Sequence, residues 1–154
     1  MSAPLYNTEI LRLAASIAPH ARLPAPDGSA ELRSPVCGSR VTVDVMLGSE
    51  GRLHALGLEV RACALGQASA ALMAQHAVGR SAGELAQAAA QLRAMLTGEP
   101  YSSDFWPGIE VLARAQAYPA RHGAILLPFD AVAQAMQDEH EFRPASAKTS
   151  GEDA

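Results

Sequence analysis

The chain has 154 residues, room for about one domain, and its 49% hydrophobic content supplies a buried core, which excludes a wholly disordered polymer. A net charge of −4 removes the basic footprint of a general nucleic-acid binder, and no run of about 18 apolar residues marks a membrane span. Only two cysteines occur, Cys37 and Cys63, too few for a small secreted fold stapled by disulfides. Glu9 and Arg12 interrupt the stretch where the apolar core of a leader would lie, so the expected location is the cytoplasm, with thiols reduced.

Residues 3–18 read as an amphipathic helix with Ile10, Leu13, Ala14 and Ile17 on one face, stopped by Pro19. Residues 20–28 carry two prolines and an Asp-Gly signal and read as loop. A short strand is expected from Ala30 to Arg33, ahead of a Pro35-Val36-Cys37-Gly38 turn. Val41, Val43, Val45 and Leu47 then alternate with Thr42, Asp44 and Met46, the period of a strand with one buried face. Gly48-Ser49-Glu50-Gly51 turns the chain, and Leu53 to Val60 returns as the second arm of an antiparallel hairpin that runs straight into Arg61-Ala62-Cys63.

After Cys63 the period becomes helical, through Leu65, Ala68, Leu72, Met73 and Ala77 as far as Gly79. Ser81-Ala82-Gly83-Glu84 fits a capping box and opens a helix whose core face is Leu85, Ala88, Leu92 and Met95, ended by Gly98 and Pro100. Residues 101–108 read as a loop holding Trp106, and Pro107 is placed to start a helix covering Gly108 to Ala117. The last apolar segment, Ala124 to Met136, carries Pro128 in its middle, which predicts a kink or a fresh helix there. Residues 1–142 are expected to form a single domain and 143–154 a flexible polar tail. One helix, three short strands and then further helices predict an α+β fold, a small antiparallel three-stranded sheet packed against helices.

Cys37 lies in a turn before a strand, and Cys63 lies where a strand gives way to a helix. A hairpin can bring these two places to one end of a sheet, and a helix N-terminus favours an anionic thiolate. Spacing alone leaves buried thiols, one disulfide or a site open, because the pair lacks the C-x-x-C pattern of metal ligands. Of the histidines, His54 and His76 read as polar positions on a strand and a helix, while His122 beside Gly123 stands at a loop-to-helix junction, a better place for a ligand. Arg61 and Arg121 read as solvated charges, with support of a cysteine thiolate as the alternative. No Gly-rich phosphate loop or G-x-S-x-G elbow is present, and the acidic residues show no paired arrangement, so no enzyme chemistry is expected.

The order of these pieces resembles the U-type iron-sulfur cluster scaffold family, whose members include IscU, SufU and the N-terminal domain of NifU. Leu5-Tyr6 before the first helix, Pro35-Val36-Cys37-Gly38, Arg61-Ala62-Cys63-Ala64-Leu65-Gly66-Gln67-Ala68-Ser69-Ala70, Gly79-Arg80-Ser81 and Tyr118-Pro119-Ala120-Arg121 are each similar to that family's segments, in the same order. The last is very like the F-P-A-R of the SufU branch. The likeness runs from about Leu5 to Met136.

It implies a protein that holds a [2Fe-2S] cluster or Zn2+ on three cysteines and an aspartate or histidine. It also implies sulfur received from a cysteine desulfurase and a product passed to acceptor iron-sulfur proteins. Cys37 and Cys63 match the first two cysteines, but the family's aspartate is Ser39 here and its third cysteine falls on Ala124. A neutral serine hydroxyl is a poor substitute and alanine supplies no donor. His122 is the candidate substitute metal ligand beside Cys37 and Cys63. Alternatively, two chains of a homodimer could each supply two cysteines, since a [2Fe-2S] centre wants four ligands. The same resemblance fits a cluster-free paralogue acting as a partner protein in the pathway, or a persulfide carrier working through Cys63 or Cys37 without metal. Outside the pathway, the residues also fit an oligomeric binding module with two core thiols.

Overall fold

A computed structural model describes residues 6–17, 21–35 and 38–149, with side chains described as far as residue 137. Cys37 therefore lies outside the described residues, as do Leu5, Pro19 and His20, while the side chain of His140 is not described. In chain order come α1 (Thr8–Ala15), β1 (Gly28–Arg33), β2 (Arg40–Leu47), β3 (Leu53–Arg61), α2 (Ala64–Ala77), α3 (Ala82–Thr97), two 3₁₀ segments (Ile109–Ala117 and Pro119–Arg121) and α4 (His122–Thr149). The strands form one antiparallel sheet in the order β1-β2-β3, so the architecture is the expected α+β one.

Helix α1 is shorter than its apolar period suggests. Asn7 caps it, its Oδ1 accepting the Ile10 N–H at 2.9 Å, and Ile10 and Ala14 face the core. Val41, Val43 and Val45 in β2 are fully buried against the helical layer. The alternation in β2 predicts a solvated second face, yet Thr42 and Asp44 are buried as well. Over Asp44 the cover is the loop before β1, through Arg22 and Leu23, while the Thr42 hydroxyl donates to Glu31 of β1. Gly57 of β3 lets the loop approach, since a Cβ there would sit 2.7 Å from the Leu23 amide nitrogen and 2.8 Å from the Ala21 carbonyl oxygen.

The capping box forms as predicted, with Ser81 and Glu84 exchanging side-chain-to-backbone hydrogen bonds, and Gly98 ends α3 in the left-handed conformation. Trp106 is fully buried, donates through Nε1 to the Leu72 carbonyl at 2.9 Å, and meets Phe129 of α4 edge-on at 5.1 Å. Pro107 does not start the next helix. Gly108 follows it at φ 79, and the helical turn after that is 3₁₀ rather than α.

Of the two outcomes expected at Pro128, a fresh helix does not occur, for α4 is a single helix running through it. Pro128 leaves the Ala124 carbonyl without its helical donor, and on the next carbonyl, that of Ile125, the Ser69 hydroxyl of α2 donates at 2.6 Å and ties this turn to α2. The helix also continues past residue 142 to Thr149, so regular structure extends into the segment that composition assigns to a tail. Composition does not account for this extension, which carries Pro144 inside it.

Candidate functional site

Three pieces of backbone meet at one end of the sheet. The first is the β1–β2 turn, closed by the Ser34 amide donating to the Ser39 carbonyl at 2.8 Å and the Gly38 amide donating to the Ser34 carbonyl at 2.9 Å. Gly38 stands at φ 74, which suits glycine, and Ser39 is buried. Cys37 belongs to this turn by sequence. The second piece is the N-terminus of α2, where Cys63 occupies the cap position and its carbonyl accepts the Gln67 N–H at 2.9 Å. The Cys63 thiol is free, half-buried, and makes no capping hydrogen bond, and no acidic residue occupies the first turn of α2. The positive end of the helix is thus available to an anion held there.

The third piece is the first turn of α4, wedged between the other two. A Cβ on Gly123 would lie 2.7 Å from the Ser34 Oγ, so α4 presses on the β1–β2 turn. Ala124 presses on α2, its carbonyl oxygen 3.3 Å and its Cβ 3.5 Å from where a Gly66 Cβ would be, and Ala124 is fully buried. Positions 39, 63, 122 and 124 are thereby gathered where α2, α4 and the β1–β2 turn converge.

His122, the first residue of α4, is half-buried, and its Nε2 lies 2.8 Å from the Ala115 carbonyl oxygen. A carbonyl only accepts, so Nε2 is the donor in this contact, and in the neutral ring the lone pair then lies on Nδ1. A backbone carbonyl holding the far ring nitrogen is the usual support of a metal-ligating histidine. Arg121 is half-buried in the 3₁₀ turn before it, and Arg61 is exposed at the end of β3.

Tested against a four-ligand centre, the described residues fall short. Cys63 and His122 can donate, Ser39 offers a neutral hydroxyl, and Ala124 offers nothing. Among the described residues no three His, Cys, Asp or Glu side chains are grouped to hold a metal ion. The full ligand set implied by the resemblance therefore does not fit one copy of this chain.

Sequence reasoning missed a second polar cluster, in the middle of the sheet. Asp44 of β2 accepts from Arg22 Nε at 2.6 Å and Nη2 at 3.1 Å, from the Leu23 amide at 3.0 Å and from the Ser29 hydroxyl at 2.7 Å. Burial pushes its carboxyl up, but these hydrogen bonds and the Arg22 charge outweigh burial and hold it below the usual aspartate range. The available signal was an aspartate inside a strand, where that residue is depleted.

A comparison with protein-family models finds no match, and none is found among curated proteins. Solved structures do match. A NifU-like protein (N-terminal) from Brucella abortus, named as nitrogen-fixing, is 36% identical, with a TM-score of 0.82 over 89% of this chain and 95% of that one. An iron-sulfur cluster assembly scaffold for the SUF system from Fervidobacterium islandicum AW-1 is 20% identical, with a TM-score of 0.80 over 86% of this chain and 96% of its own, and shares the fold. Among the described residues no helix is long and apolar enough to cross a membrane.

Proposed function

This chain belongs to the U-type, NifU-like family of iron-sulfur cluster assembly scaffolds, and from that membership we propose that it works as a scaffold with a reduced ligand set. In this reading Cys37, Cys63 and His122 take iron, a [2Fe-2S] cluster or Zn2+ as cargo, with His122 binding through Nδ1. Sulfur comes from a cysteine desulfurase. The Cys63 thiolate attacks the terminal sulfur of the desulfurase persulfide, forming a new persulfide on Cys63 and releasing the donor's thiolate, with no oxidant consumed. The product passes to acceptor iron-sulfur proteins in the cytoplasm, and the chain is a carrier rather than an enzyme. The single observation that supports this most is the convergence of the β1–β2 turn, the Cys63-capped end of α2 and the His122 end of α4.

A second reading is favoured by Ala124, fully buried and without a donor where the family has its third cysteine. Here the chain keeps the fold and partner surface, carries no cluster, and acts as a partner protein or persulfide carrier. A homodimer pooling the cysteines of two copies is the remaining route to four ligands.

Anaerobic reconstitution with ferrous iron and sulfide, followed by iron and zinc quantification and absorption spectroscopy, separates these readings. The scaffold gives a bound chromophore that is lost in Cys37→Ala and Cys63→Ala and weakened in His122→Ala. No bound metal under any condition removes the first reading. Persulfide detected on Cys63 after incubation with a desulfurase would then support the second.

A further inference from the structure

Strand register places three arginines side by side. Arg33 of β1 pairs with Arg40 of β2, and Arg40 pairs with Arg61 of β3, so one rung of the sheet carries a guanidinium on each strand. Directly paired residues project to the same face, here the one opposite the helical layer. The ion pairs agree, since Arg33 reaches Glu31 at 3.4 Å and Arg61 reaches Glu59 at 3.5 Å, both along that face. Like charges directly opposed across strands destabilise a sheet, so the row carries a cost to folding. It also runs against composition, being three of only 12 basic residues in a chain of net charge −4.

The charges are available. The side chains of Arg33 and Arg61 are 68% and 66% exposed, and their glutamate pairs are long, solvated contacts of the kind worth little. Among the described residues no ion pair or hydrogen bond engages the Arg40 side chain, half-buried between its neighbours. Strands spaced by about 4.8 Å spread the row over roughly 10 Å, and each guanidinium is shaped to take a carboxylate with two parallel hydrogen bonds. The row borders the β1–β2 turn, and Arg61 is two residues from Cys63, so whatever docks here lies next to the thiol end of the sheet.

We infer that the Arg33–Arg40–Arg61 row is a docking surface for an acidic, Asp/Glu-rich segment of a partner protein, a role independent of whether the thiols hold metal. Charge complementarity selects that occupant. A nucleic acid would meet the negative charge of the rest of the chain, whereas a short acidic stretch needs only this local row. The adjacent rung, Glu31–Thr42–Glu59, has the opposite sign and fixes the register by repelling carboxylates that slide off the arginines.

The test uses the full chain and a fluorescein-labelled decaglutamate peptide, read by fluorescence anisotropy. Binding is expected at about 20 mM salt and lost by about 300 mM, where screening shortens the reach of exposed charges. Arg40→Glu should weaken it at least about tenfold, while Arg114→Glu, an exposed charge on the 3₁₀ segment, should change it less than about twofold. Arg40→Glu should also leave the thermal midpoint at or above that of the parent, because it relieves a like-charge row. Loss of binding with that midpoint retained separates loss of the docking surface from loss of fold.

Absence of binding at low salt, or equal effects of the two reversals, overturns the assignment. So does complete displacement of the peptide by inorganic phosphate at matched ionic strength, which would mark a site for a small anion. A low-salt dimer dissolved by Arg40→Glu would make the occupant a second copy of this chain and overturn it too.

Discussion

Burial acts against the charge of the Asp44 carboxyl, while Arg22, Ser29 and the Leu23 amide act for it, and the second group wins. A carboxyl held below its usual value stabilises the fold fully above the unfolded aspartate range near pH 4, and that contribution is lost as pH falls through the lower folded value. Asp44→Asn is expected to cost about 2 kcal/mol at neutral pH and to flatten the acid side of the stability curve. Urea midpoints of parent and variant between about pH 3 and pH 7 check this, and parallel curves would show that another carboxylate governs the acid limb. Gly66 governs the neighbouring contact. An added Cβ would lie 2.6 Å from the Ala62 Cβ and 3.3 Å from the Ala124 carbonyl oxygen, atoms fixed to the backbone that cannot swing aside as a long side chain would. Gly66→Ala should therefore destabilise by about 1–3 kcal/mol despite its better helix propensity, measured by denaturant unfolding. Neither effect is visible in the chain itself, because both depend on neighbours distant in sequence: Arg22 lies 22 positions from Asp44.

Elements specified by local chemistry were readable before the structure. The hairpin follows from the Val41-Val43-Val45 alternation and the Gly48–Gly51 turn, and α3 from its Ser81–Glu84 box and Gly98 stop. Elements that depend on tertiary partners were not. Pro128 predicts a kink or a fresh helix, and no fresh helix starts there; the Ser69 hydroxyl of α2, 56 positions upstream, is bonded to the Ile125 carbonyl in the same turn. Ser69→Ala should cost about 1–3 kcal/mol, as expected when a buried carbonyl loses a donor next to an interrupted helical ladder. Because Ser69 lies between the thiol end of α2 and the core, the same variant should raise hydrogen-exchange rates at the start of α4. Unchanged exchange there would show that the Ser69 bond does not hold the start of α4 against α2.

On the scale of the whole molecule, the site was legible as an order of motifs rather than as a constellation. Cys63, His122 and Ala124 are scattered in sequence, and only the packing of α4 between α2 and the β1–β2 turn gathers them. The arginine row escaped notice because Arg61 alone reads as a solvated charge, and register is a property of paired strands. The extent of the folding unit is argued from burial along α4, where the last fully buried side chain described is Met136 and Gln137 is already exposed. We propose that the cooperative domain ends by residue 142 even though α4 is longer. The segment 143–154 holds Arg143, Lys148, Glu152 and Asp153, so deleting it leaves the net charge unchanged. A chain ending at 142 should then keep its thermal midpoint within about 2 °C, since 1 kcal/mol moves a domain of this size by about 4 °C. A fall beyond about 5 °C would mean that the last turns of α4 contribute more than 1 kcal/mol to the core.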